Sequence, residues 1–456
     1  MQRVRPTLSY VLIIVMLAII ALSGGASRED SLAQTVVRTL PPVLLLGIMF
    51  TGQVREWRSL RVPLALFVAG AMLVFAMLVP LPPDVWTALP GRDLIEPAAP
   101  LAGLPQPWRP LAMVPYLGWN AFYALIPPAC VLFAMLYLQP EERARLLTPM
   151  LCIMLVSALV GFLQIGGGDD GPLRWYAVNS PNAANGFFAN RNHHALFLSV
   201  GLVLLAAWAV LARREAARGS GVRLLAVAGV AILFLIAVLV TGSRAGLVLA
   251  ALALVGGLVA YRADAARALA PLGRRTLLIG AGVFTIGLIG IGLLLVYSPQ
   301  FLVLERLVGL DPTEDMRWKA LPTIVQIGRD AFPAGIGFGS FEPVYRAYEP
   351  DALLSYQYLN EAHNDYLQVF VEGGIAGTAL LALALVWLVW RGAAVLFGRE
   401  TGGVPAARVL ARAAAVGLAL VLLASIVDYP VRTPLMMCVV MVLVVWLQLS
   451  KVEQTP

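Results

Sequence analysis

Continuous apolar runs of about 20 residues recur along almost the whole chain, and each is long enough to cross a hydrocarbon core as a helix. Within lipid, every backbone N–H and C=O must be satisfied by the protein itself, which leaves helices or a closed barrel. A barrel would read as short segments of alternating polarity, and these runs do not alternate. The predicted fold is an all-α polytopic membrane protein. Composition agrees, since 60% of the residues are hydrophobic and only 13% charged, against about 25% charged in soluble domains.

About 12 transmembrane helices can be drawn, at roughly 8–22, 36–51, 62–79, 119–138, 147–165, 193–211, 222–240, 245–261, 276–297, 367–390, 409–427 and 433–450. The apolar stretch 222–261 is interrupted only by Thr241-Gly242-Ser243-Arg244-Ala245-Gly246, which reads as a tight turn between two antiparallel spans, because a single helix of that length would overrun the membrane. Residues 1–22 resemble a signal peptide but lack a clear cleavage site, and read as a retained first span. The division that follows is helices 1–9 over 1–297, a large loop domain over 298–366 and helices 10–12 over 367–456. Placing both termini in the cytoplasm puts most Lys and Arg on the cytoplasmic side, as the positive-inside rule expects. Cys130, Cys152 and Cys438 all fall in spans and read as small buried apolar residues. No basic run has the look of a nucleic-acid arm, and no nucleic-acid partner is expected.

Three loops lie on the opposite, outer face. Residues 80–118 are Pro- and Trp-rich, 166–192 Gly- and Asn-rich, and 298–372 long enough to hold helices of its own. A loop of that length in a compact protein is functional or disordered, and its aromatics and alternate glycines (Gly335, Gly337, Gly339) argue for order, the glycines as a structural turn seating the loop on the bundle. Arg191, Arg244, Arg317 and Arg432 stand at outer span ends or in this loop. Arginine there snorkels to headgroups, pairs with a carboxylate or binds phosphate bidentately. Asn190-Arg191-Asn192-His193-His194 opens the sixth span, where a helix N-terminus, a cation and amide donors suit an anion. Two adjacent histidines on a helix point in different directions and make poor joint metal ligands. His363, in Glu361-Ala362-His363-Asn364-Asp365, is the only histidine of the long loop and can act as a base, with Glu361 or Asp365 as its tuning carboxylate. No D-x-D or H-E-x-x-H is present, and no metal site or cofactor is expected.

The ordered series Gly242-Ser243-Arg244-Ala245-Gly246, Arg317-Trp318, Gly335-x-Gly337-x-Gly339-x-Phe341, Ala362-His363-Asn364-Asp365-Tyr366-Leu367-Gln368 and Glu372-Gly373-Gly374-Ile375-x-Gly377 resembles the O-antigen ligase and polymerase superfamily of bacterial envelope proteins. The resemblance implies about a dozen helices with a large periplasmic loop between spans 9 and 10, in the inner membrane. It implies transfer of a glycan from undecaprenyl diphosphate to lipid A–core on the periplasmic side, inverting and metal-independent. Carried over by residue, His363 is the base, and Arg191, Arg244 and Arg317 hold the diphosphate. Asn190, Asn192, His194, Glu361, Asn364, Asp365 and Arg432 are supporting residues. An O-antigen polymerase or a protein O-oligosaccharyltransferase would use the same donor; the short tail after the last span favours a ligase over the latter. A transporter would show polar, broken helices at the midplane, and here the spans are nearly free of charge.

Overall fold

The computed structural model describes residues 6–28, 31–55, 57–215, 220–269, 282, 312–354, 359–398 and 405–449. Among these the chain is almost entirely helical, its one sheet a two-stranded antiparallel ribbon pairing Pro80–Leu81 with Arg109–Pro110. Longer helices in chain order are α1 (Leu8–Ser23), α2 (Ala33–Thr51), α3 (Arg61–Ala76), α4 (Pro115–Tyr123), α5 (Ile126–Ala134), α6 (Leu147–Gly167), α7 (Arg191–Glu215), α8 (Ser220–Val240), α9 (Arg244–Ala260), α10 (Pro312–Asp330), α11 (Phe341–Tyr348), α12 (Asp365–Phe397), α13 (Pro405–Ala424) and α14 (Pro434–Gln448). Seven helical stretches are long and apolar enough to cross a membrane, and α1, α9, α14 and 225–240 of α8 are shorter apolar helices. This is a multi-pass helical membrane protein. Apart from residue 282, the expected span 276–297 and the first residues of the long loop lie outside the described residues.

α7 is the central helix. Its apolar positions run around the whole circumference, the pattern of a helix enclosed by others, and 67% of its membrane window is buried. It packs against α6, α8, α9 and α13. Between α7 and α9 the approach is set by Gly246, where a Cβ would stand 2.4 Å from that of Ala195. Small residues let membrane helices come this close and gain dispersion contacts. By contrast only 6% of the window of α12 is buried, and Leu383, Val386, Val389 and Trp390 face outward, toward lipid. Cys130 and Cys438 are buried as expected, whereas Cys152 is exposed: it lies on the face of α6 with Val156, Leu159 and Leu163, also exposed, and their spacing of three and four residues keeps them on one outward stripe.

Outside the bundle, residues of two loops share a second hydrophobic core. Met113 packs there with Ile324, Ile327, Ile336, Phe341, Tyr345 and Val371. The loops are stitched by backbone as well: the Met113 N–H donates to the Ile336 carbonyl (2.9 Å), and the Val114 N–H to the Ser340 hydroxyl (3.1 Å). Arg92, only 1% exposed, donates to the carbonyls of Leu111 (2.8 Å), Gly335 (3.0 Å) and Pro90 (3.0 Å). Burial, and Arg109 nearby, push its guanidinium down to about 10. The segment read from sequence as a separate interfacial loop thus becomes part of the long loop's foundation.

The alternate glycines do seat the loop. Gly337 has φ +88°, and a Cβ there would lie 2.3 Å from the Ala112 Cα, so both the left-handed backbone and the close approach require glycine. Gly337→Ala is expected to destabilise the protein by about 1–3 kcal/mol through strain and overpacking. Gly103→Ala, with φ +68° but nothing within 4 Å, is expected to cost less. Thermal unfolding of the two purified variants side by side checks this ordering.

Candidate active site

α12 begins where the long loop meets the membrane. Asn364 caps it, its side chain accepting from the Leu367 N–H (2.9 Å) and donating to the Ile426 carbonyl (2.9 Å). A side-chain oxygen at this position satisfies one of the unpaired donors of the first turn. Immediately before the cap, His363 adopts φ +50°, a left-handed conformation uncommon outside glycine. Such local strain clusters at functional sites, and here it directs the imidazole away from its sequence neighbours, toward the α13–α14 connection.

There His363 meets Asp428. Its Nδ1 lies 3.3 Å from Asp428 Oδ1, and its ring packs edge-on against Tyr429, centroids 4.7 Å apart. Asp428 is also the meeting point for the first turn of α7. Asn192 Nδ2 donates to Asp428 Oδ2 at 2.8 Å and Asn190 Nδ2 at 3.4 Å, while His193 Nε2 lies 3.7 Å from Oδ1. Burial alone would raise the Asp428 carboxyl, but the Arg317 cation and the hydrogen bonds from His193 and His363 outweigh it and hold the group well below the usual carboxylate range. An ionised carboxylate can only accept. The His363 Nδ1 therefore carries the proton, and Nε2 is the basic nitrogen.

Burial, reinforced by Arg317 and opposed by Asp428, lowers the His363 pKa from its ordinary 6.5. At neutral pH the imidazole is uncharged. Arg317, on α10, reaches this pair: its Nη1 lies 3.5 Å from the Val427 carbonyl, and its buried Nε finds no hydrogen-bond acceptor among the described residues.

The carboxylates expected beside His363 lie elsewhere. Glu361 and Asp365 turn to Arg432, at 3.5 Å and 3.6 Å, and Glu372 joins them at 3.0 Å. Glu361 also accepts from Gln368, and Glu372 from the Gly339 and Phe341 N–H groups (2.9 Å and 3.3 Å). Glu361 is pushed up to about 7, by burial first and by Glu372, against the pull of Arg432. Burial disfavours the Arg432 cation, yet the three carboxylates raise it above its ordinary value. Arg432 is accordingly the counter-ion of a buried acidic cluster that fastens the glycine turn to α12. Removing one partner of such a cluster strands the others, the costly way to break a buried ion pair.

Of the remaining expected residues, Arg191 is the first residue of α7, its N–H donating to Ser180 Oγ (3.2 Å), and it precedes Asn192, which holds Asp428. Arg244 is the first residue of α9, behind an Ser243 cap. The Gly246–Ala195 contact keeps the starts of α7 and α9 side by side, so both arginines occupy one end of the bundle. His194 is a core residue: fully buried, its Nδ1 2.7 Å from the Ala184 carbonyl. Sequence reasoning missed Asp428 and His193. Asp428 stands alone in Val427-Asp428-Tyr429-Pro430, and its only sequence signal is that of an acid at the edge of a span, a functional-site candidate by default.

A family model described as O-antigen ligase matches residues 229–382. This stretch is similar to the O-antigen ligase family. No curated protein matches the chain. The O-antigen ligase match spans Arg244, Arg317, His363 and the acidic cluster up to Glu372, while Arg191, His193, Asp428 and Arg432 lie outside it. The O-antigen ligase family implies a glycosyltransferase-type enzyme acting on lipid-linked glycans.

A depressed His363 pKa keeps the ring neutral, and so reactive toward acylating reagents, as pH falls through 6.5. Diethyl pyrocarbonate labelling of His363, followed by peptide mass spectrometry, is expected to reach half its plateau below pH 6.5. In Asp428→Asn, which removes the acceptor favouring the imidazolium, the midpoint is expected to fall further.

Proposed function

We propose that the chain is an O-antigen ligase that transfers a glycan from undecaprenyl diphosphate to lipid A–core at the periplasmic face of the inner membrane. The observation carrying this reading is the His363–Asp428 pair with the partly unsatisfied guanidinium of Arg317 beside it; His363 and Arg317 belong to the stretch that matches the O-antigen ligase family, and Asp428 meets them from outside it. His363 Nε2 takes the proton from the acceptor hydroxyl as its oxygen attacks the anomeric carbon. The bond from that carbon to the diphosphate oxygen breaks, with its electron pair leaving on the diphosphate and configuration inverting. Asp428 holds the ring in the productive tautomer and neutralises the imidazolium, the role a buried carboxylate plays toward a catalytic histidine.

The leaving group carries the developing negative charge. Fixed guanidinium groups in a partly dry site stabilise such charge without reorganising, and Arg191, Arg244 and Arg317 supply them in this reading, so the transfer needs no metal ion. A polymerase is the alternative with the same donor chemistry, its acceptor a second lipid-linked glycan; a protein O-oligosaccharyltransferase would pass the glycan to protein.

In a strain lacking its own ligase, His363→Ala is expected to lower capping of lipid A–core by about 10²–10⁴-fold, the range a positioned base contributes, at unchanged expression. Full-rate capping by that variant would overturn the base assignment. Arg317→Lys keeps the charge but loses the planar fork, and is expected to weaken donor use more than acceptor use in steady-state kinetics of the purified enzyme. In the same assay the rate should decline on the acid side only below pH 6.5, because His363 must be neutral to accept a proton. EDTA should leave it unchanged; loss of activity restored by Mg²⁺ would sink the metal-free mechanism. Single-repeat lipid A–core accumulating in a null strain would point to the polymerase.

A further inference from the structure

Beside the acidic cluster opens a cavity of about 540 Å³ that the proposed reaction does not use. Its walls come from membrane helices: Leu381, Leu385 and Leu388 of α12 face Leu418, Val421 and Leu422 of α13. From Asp365 the lining follows α12 past the break in the helix at Gly374 (φ +55°) to Leu388, so the cavity is a crevice running from the loop end of the bundle between α12 and α13. Its polar end is built from Glu361, Asp365, Glu372 and Arg432, with Glu342 and Arg28 also lining it.

That end offers acceptors to a ligand. Arg432 is taken up by its three carboxylates and Glu342 pairs with Arg346 (2.6 Å). Asp365, 6% exposed, leaves its buried Oδ2 without a hydrogen-bond partner among the described residues. With Glu342 paired to Arg346, the carboxyls of Glu361, Asp365 and Glu372 face Arg432 and Arg28, and because burial lifts Glu361 and Asp365 to about 7 the lining is net negative above that pH. A diphosphate is repelled there, whereas a cationic head group that donates hydrogen bonds is attracted.

We propose that the crevice binds a membrane lipid with a primary ammonium head group, its chain between α12 and α13 and its N–H donors on Asp365 and Glu361. This inference does not depend on the transferase reading. The phosphate of such a lipid leaves it net neutral, which the mixed acid and arginine lining tolerates. Because burial lifts Glu361 to about 7 and the cation favours its ionised form, binding strengthens as pH rises through that value and releases a proton.

The test is native mass spectrometry of the full-length protein from mixed micelles of phosphatidylethanolamine, phosphatidylcholine and phosphatidylglycerol with identical chains. Phosphatidylethanolamine should be retained over the other two by roughly tenfold, what one charge-assisted hydrogen bond supplies. Phosphatidylcholine has the same charge but no N–H donor, and phosphatidylglycerol has donors but a net negative charge. The preference should grow from pH 6 to pH 8 in the wild type, and should vanish in Asp365→Asn and weaken in Glu361→Gln. Equal retention of all three lipids by the wild type, or a preference for phosphatidylglycerol, overturns the proposal. So does one-for-one displacement by a polyprenyl phosphate, which would make the crevice a channel for the donor's tail.

Discussion

A carboxylate sealed into protein beside a membrane stays ionised only if donors and cations surround it, because desolvation of the charge is otherwise prohibitive. Asp428 meets that demand by gathering groups from distant parts of the chain. Asn190, Asn192 and His193 come from the mouth of α7, Arg317 from α10 and His363 from the strained residue before α12. Each of these segments has its own packing, but the carboxylate is the point at which they must agree. Its charge fixes the tautomer of His363, and the shape of the site follows from that one requirement.

Around this centre the protein keeps two mixed-charge clusters apart. Arg317 stands on the Asp428 side of the 361–365 segment, while Glu361, Asp365 and Glu372 are gathered around Arg432 on the other. The separation has a local cause. Left-handed backbone at His363 turns that side chain one way, and the helix that starts under the Asn364 cap turns Asp365 the other. One short stretch thereby serves a basic imidazole and an acidic anchor without letting them neutralise each other.

The two loops that share the second core are held by backbone geometry more than by charge. The buried cation of Arg92 is satisfied by carbonyls from its own loop and from Gly335, and Gly337 admits the Ala112 backbone. The shared core around Met113 and Ile336 packs α10 and α11 against the 80–114 loop, and it is α10 that carries Arg317 to the site. Precision at His363 depends in this way on packing far from it.

The sequence by itself determined the helical membrane class, the tight turn at Gly242–Ser243 and the candidacy of His363 and the boundary arginines. These follow from local facts: the length of apolar runs, the cost of unsatisfied backbone in lipid, and the cost of charge at a membrane boundary. Tertiary structure alone decided which groups touch. Glu361 and Asp365 are nearest to His363 in sequence, yet Asp428, 65 residues away, is its partner. Neighbours in sequence diverge when a helix cap and a left-handed residue intervene, and contact between remote segments depends on how the whole bundle closes. His194, a core residue, and His193, a ligand of Asp428, are adjacent in sequence; the rotation of a helix between one residue and the next put them in different environments.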